Sequence, residues 1–155
     1  MGKANIQVSG NEVTEIPEVD AHTEITVNAE RKDGGLVYSS VRYESFEDKK
    51  RTYNALTTDK QIGDYLNEVL EVEDIIAGDV LITNKETGEV DEATRTVLIL
   101  ADGSAVAATS SVLFSRLMQI VSIFGNPNTW PEPLKIKVRQ QNLANGRRIY
   151  VPEII

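Results

Sequence analysis

The sequence predicts a mainly β fold: a five-stranded barrel with one helix between its third and fourth strands, preceded by an extra strand or helix and a flexible arm. Three observations predict it. Strand-like segments recur from residue 70 to the end of the chain, the dipeptides Asp102-Gly103 and Asn145-Gly146 mark tight turns between them, and one amphipathic period falls between residues 113 and 124.

Residues 1–35 are polar and acidic. Val8, Val13, Ile16, Val19, Ile25 and Val27 follow no sustained period, and the stretch closes on Asp33-Gly34-Gly35. This is the composition of a flexible arm ahead of a single domain spanning residues 36–155. Within the arm, Glu24 to Asn28 alternates in the manner of an edge strand able to pair with a neighbouring molecule.

Residues 36–46, LVYSSVRYESF, are rich in β-branched and aromatic side chains and read as a strand, with a charged turn over Glu47 to Arg51. Ile62, Tyr65, Leu66 and Val69 then fall at helical spacing, which predicts a short helix over 61–69. Residues 70–83 read as a long strand, with a bulge or bend expected at Ala77-Gly78-Asp79. A turn-rich loop, Asn84 to Val90, leads to a strand at 94–101, the Asp102-Gly103 turn and a partner strand at 104–109. Ser110 or Ser111 is placed to cap a helix whose Leu113, Leu117, Ile120, Val121 and Phe124 share one face, and Gly125 is placed to end it. After the proline-punctuated NPNTWPEP, strands at 134–141 and 147–151 close the chain around Asn145-Gly146. Five strands with a helix after the third is the element order of the OB fold, in which the outer face of strands two and three holds single-stranded nucleic acid or sugar.

Composition narrows the function classes. A chain of 155 residues without cysteine and with one histidine has neither a disulfide framework, nor thiolate catalysis, nor the usual Cys/His zinc site. No run of about 18 apolar residues is present to span a bilayer and no signal-peptide pattern opens the chain, so the cytoplasm is the expected location. The net charge of -8 argues against a nucleic-acid partner when taken whole. Taken by region it does not. Residues 1–35 hold three cations against seven acids and residues 36–125 hold eight against fifteen, whereas residues 126–155 hold five against two, a local charge of +3.

The passages RYESFEDKKRTYNAL, ETGE, LADGSAVAATSSVLFSRLMQIVSIFG and NTWPEPLKIKV occur in that order along the chain. On these, residues 36–155 resemble the small single-stranded-DNA-binding proteins of bacteriophages and conjugative plasmids of Gram-positive bacteria. The resemblance implies cooperative coating of single strands during replication or transfer. The tail YVPEII departs from the acidic, phenylalanine-ended tip through which bacterial housekeeping single-strand binders recruit partners, so such recruitment is not implied.

Two clusters carry the residue types that strand binding needs, cations for phosphates and aromatic faces for bases. On the fourth strand Lys135, Lys137 and Arg139 alternate with Leu134, Ile136 and Val138, and Arg148 and Tyr150 are expected to face outward beside them on the fifth. The other cluster interleaves Arg42, Tyr43, Lys49, Lys50, Arg51 and Tyr53, with Phe46 expected in the core. Trp130 is expected to cap the barrel by burial. Glu71, Glu73 and Asp74 read as a solvated strand edge and His22 as an isolated residue of the arm, so no catalytic site, metal or cofactor is expected. The expected partner is single-stranded DNA, with self-association through the arm. The rival is a virion or secretion-complex subunit that uses the barrel face for protein contacts, favoured by the net acidity as the first is favoured by the aromatic and basic interleaving.

Overall fold

The computed structural model describes the backbone of residues 23–27 and the whole of residues 36–155. Its elements are β1 (Thr23–Val27), β2 (Leu36–Ser39), α1 (Phe46–Leu56), a 3-10 turn (Ile62–Tyr65), β3 (Val69–Asn84), β4 (Val90–Leu100), β5 (Ala105–Thr109), α2 (Ser111–Phe124), a second 3-10 turn (Pro127–Thr129), β6 (Leu134–Asn142) and β7 (Arg148–Ile154).

β3 is the spine. β4 pairs with one of its edges from Val72 to Thr83, and the opposite edge receives β6 at Val69 to Val72, β2 near Ile76 to Gly78 and β1 at Val80 to Asn84. Among the described residues every ladder between these strands is antiparallel, and the main path runs β5-β4-β3-β6-β7. This is the strand order expected of the OB fold. Among the described residues β5 and β7 form no closing ladder. The free edge of β5 is taken instead by the segment before the first 3-10 turn: the Ala107 amide donates to Lys60 O at 2.9 Å, and Thr58 Oγ1 donates to Ala105 O at 2.8 Å.

Local chemistry sets the parts nearest the hairpin and α2. Gly103 takes φ 91°, a value that favours glycine, and Asp102 Oδ1 accepts from the Ser104 amide and hydroxyl, which also holds its carboxyl below the usual range. Ser110 Oγ accepts from the Leu113 amide at 3.1 Å, satisfying one open donor of α2, and Gly125 closes the helix at φ 89° with its amide on Val121 O. Leu113, Leu117 and Ile120 of α2 pack with Leu70, Val72, Ile75, Leu98, Ile136 and Val138 in the main core. A smaller core lies on the other face of the sheet, where Val41 and Ala55 cover Ile76, Val97, Ile99, Ala105 and Ala107.

Three expectations are corrected. The strand over 36–46 is only Leu36–Ser39, and the expected turn at 47–51 lies inside α1. Ser45 accepts from the Asp48 amide at 3.1 Å, and Glu47 and Asp48 complement the helix dipole, so a helix starts where charge alone suggested a turn. The helix over 61–69 is a 3-10 turn that ends before Asn67, at φ 67°, and β3 begins at Val69. The β3–β4 ladder is regular through Ala77, Gly78 and Asp79; its bulge falls between Val72 and Asp74, while an irregularity opposite Ala77 and Gly78 belongs to β2. The edge strand expected at Glu24 to Asn28 is present as β1, which pairs with β3 of its own chain, with Thr23 opposite Asn84 and Val27 opposite Val80. The remainder of residues 1–35, with His22, lies outside the described residues.

Candidate nucleic-acid interface

α1 turns its aromatic and cationic residues away from the sheet. Thr52 and Ala55 are its buried positions, and on the opposite side Phe46, Lys50 and Tyr53 recur at helical spacing, with Lys49 alongside. Phe46 is 71% exposed and Tyr53 66%, and Tyr43, just before the helix, is 47% exposed. Phe46 is therefore a surface residue and not the core residue expected. The Lys50 ammonium lies 4.7 Å from the centre of the Phe46 ring and 3.4 Å from Glu47. Arg42 is exposed and anchored, donating to Asn128 O at 3.2 Å.

Arg51 leaves this face. Its guanidinium donates to Glu73 at 2.7 Å and to Asp74 at 2.8 Å. In a regular strand successive side chains point to opposite faces, but the bulge at Glu73 lets both carboxylates meet one guanidinium. Asp74 is buried and also accepts from Ser40 Oγ at 2.8 Å, and Ser40 Oγ in turn accepts from the Ile75 amide. The pair is unequal. Burial pushes the Asp74 carboxyl above its ordinary range despite Ser40 and Arg51, whereas for Arg51 the loss of water is outweighed by its hydrogen bond to Glu73 and the fields of Asp74, Glu73 and Asp48. Glu73 and Asp74 are thus structural partners of α1, not part of the solvated strand edge expected. They line a cleft of about 310 Å³ together with Arg42, Asp48, Arg51 and Trp130. No group of acidic or histidine side chains suited to a metal ion occurs among the described residues.

Lys135, Lys137 and Arg139 share one face of β6, as alternation requires. Their cross-strand neighbours are Glu71 on β3 for Lys135, Glu153 on β7 for Lys137 and Val151 on β7 for Arg139. The carboxylates opposite the two lysines reduce the positive field of this face. Arg148 and Tyr150 are not on it. They stand opposite Asn142 and Gln140, so they share the face of Ile136 and Val138, and Tyr150 is 9% exposed within the main core. A two-residue turn at Asn145-Gly146 would have put Tyr150 beside the cations. The hairpin is instead closed by the Leu143 amide on Arg147 O around Ala144, Asn145 and Gly146, and this odd loop length shifts the register by one residue and exchanges the faces of β7.

Trp130 packs against the main core and its indole nitrogen donates to Gly125 O at 2.9 Å, which fixes the loop after α2 beside the cleft. Arg95, which no motif in the sequence marks, donates from its two terminal nitrogens to Leu56 O at 2.7 Å and Thr58 O at 2.8 Å at the end of α1. The one local signal for the place of Phe46 is the spacing Ser45-x-x-Asp48, a helix-start signature that puts residues 46, 50 and 53 on one side.

No helix among the described residues is long and apolar enough to cross a membrane. Comparison with known families shows similarity to one described as Phage Single-stranded DNA-binding protein, whose family model matches residues 31–151. No curated protein and no solved structure matches the chain.

Proposed function

The chain belongs to the phage single-stranded DNA-binding protein family, and from that premise we propose that it is a non-enzymatic, largely sequence-independent binder that coats single strands in the cytoplasm during phage DNA replication. The observation that carries this reading is the joint exposure of Tyr43, Phe46 and Tyr53 beside Lys49 and Lys50. An aromatic ring stacks on any base, at about 1 to 3 kcal/mol per base, and an ammonium group meets any phosphate, so neither reads sequence. Arg42 extends the positive edge, and Lys135, Lys137 and Arg139 form a secondary cationic strip weakened by Glu71 and Glu153. Acidity elsewhere, within a net charge of -8, disfavours indiscriminate association with duplex. Residues 36–155 form the binding domain in this proposal, and residues 1–35 form an arm through which copies associate along the strand.

Titration of labelled oligo-dT at two salt concentrations tests the proposal. Binding that weakens steeply with salt is expected, since phosphate contacts release counterions. Absence of binding at low salt overturns it.

A further inference from the structure

In a five-stranded barrel of this order the ligand lies on the outer face of strands two and three, which here are β4 and β5. That face is already occupied. Val97, Ile99, Ala105 and Ala107 are buried beneath Val41 and Ala55, with Ile76 of β3 beside them. These sheet residues are all aliphatic: none offers a ring for a base or a charge for a phosphate. The cover is tied at several points. Arg95 holds the carbonyls of Leu56 and Thr58, Thr58 Oγ1 reaches Ala105 O, Lys60 O accepts from the Ala107 amide, and Arg51 is clamped by Glu73 and Asp74.

We propose that α1 is a permanent second layer and that the single strand binds to its outer side, across Phe46, Lys50 and Tyr53, without ever reaching the sheet. The inference rests on the single-strand reading above and locates its site. Both chemical requirements for strand binding are met on the outer side of α1, whereas the face of β4 and β5 beneath it carries no aromatic ring and its one cation, Arg95, is engaged by the carbonyls of Leu56 and Thr58, so lifting the helix would expose a surface with nothing for a base to stack on. Phe46 and Tyr53 are seven residues apart, about 10 Å along the helix axis, and so serve different bases. Lys49 and Lys50 stand between them for the connecting phosphates.

The absence of cysteine from the chain makes a clean test possible. Single variants Val97→Cys and Ala107→Cys each place one thiol beneath α1, and the two together guard against one failing to fold. Maleimide labelling is followed with and without a saturating oligo-dT, whose binding is monitored by fluorescence anisotropy. Labelling in the complex is expected to be as slow as in the free protein or slower; a tenfold rise on adding DNA overturns the docked-helix proposal. In parallel, Phe46→Ala with Tyr53→Ala is expected to weaken oligo-dT binding at least tenfold while the circular dichroism spectrum is retained. Wild-type affinity in that double variant overturns the platform. Failure of the unaltered protein to bind oligo-dT at all is a separate result, which overturns the single-strand reading and this inference with it.

Discussion

Arg95 donates to the backbone carbonyl of Leu56 at 2.7 Å, so a strand residue completes the end of the helix that lies across it. α1 has no basic residue in its own last turn, and its final carbonyls need a cationic or polar partner. Its buried contribution is Thr52 and Ala55, far too little apolar area to hold an eleven-residue helix on hydrophobic grounds alone. The polar ties at Arg95 and Arg51 therefore decide whether the helix stays in place.

Replacing that guanidinium exposes the dependence. Arg95→Ala is expected to lower stability by about 1 to 2 kcal/mol in urea unfolding, the loss of two charge-assisted hydrogen bonds at a half-buried site. Amide exchange in α1 should accelerate more than in β3. Uniform acceleration across both elements would show that the arginine acts on the sheet rather than on the helix.

Gly63 and Tyr150 form a second contact with a sharp signature. A Cβ built at Gly63 would lie 2.6 Å from the Tyr150 hydroxyl, and that ring is fixed in the main core. Gly63→Ala is expected to destabilise the fold by about 1 to 3 kcal/mol. Adding Tyr150→Phe removes the offending atom and leaves the next one at 3.7 Å, so the double variant should recover most of the loss. Tyr150→Phe alone should leave oligo-dT affinity unchanged, because the ring lies in the core.

Burial raises the Asp74 carboxyl, and the sign of its pH effect follows. Between the unfolded value near 3.9 and the raised folded value the native state binds more protons than the unfolded chain. The contribution is therefore fully present below the unfolded value and is lost as pH rises through the folded one. Relative to Asp74→Asn, the unaltered protein should be more stable at pH 4 than at pH 7 when both are unfolded by urea. The opposite trend would mean that the ion pair with Arg51 outweighs desolvation.

Salt dependence separates the two cationic clusters. For single strands the logarithmic slope falls by about 0.7 for each phosphate contact removed, so Lys49→Ala with Lys50→Ala should reduce it by about 1.4. Alanine at Lys135, Lys137 and Arg139 should change it less, because the exposed rings that would hold the bases, Tyr43, Phe46 and Tyr53, lie on or just before α1 and β6 carries none. A larger change from the β6 triple variant would move the phosphate track to that strip.

The sequence was most legible where short-range chemistry decides the outcome. Asp102-Gly103, Ser110 and Gly125 each act within a few residues, and the hairpin and α2 stand where these residues indicate. α1 was hidden because its amphipathicity is inverted: Phe46 and Tyr53 point outward while Thr52 and Ala55 point inward, so no apolar stripe marks it as a helix. Tyr150 was misplaced because loop length sets the face of β7, and a one-residue difference changes every side chain on the strand. The meeting of Arg51 with Glu73 and Asp74 spans more than twenty positions and depends on a bulge that no local pattern announces.

The way β3 carries its neighbours has a consequence for tolerance to damage. β6, β2 and β1 follow one another along a single edge, and each bonds to its own stretch of the spine. Removing β1 would strip hydrogen bonds from Val80 to Asn84 and leave the ladders at Val69 to Val72 and Ile76 to Gly78 intact. Insertion, truncation or exchange at the front of the chain is thus a local injury, and the five-strand path survives it as a unit.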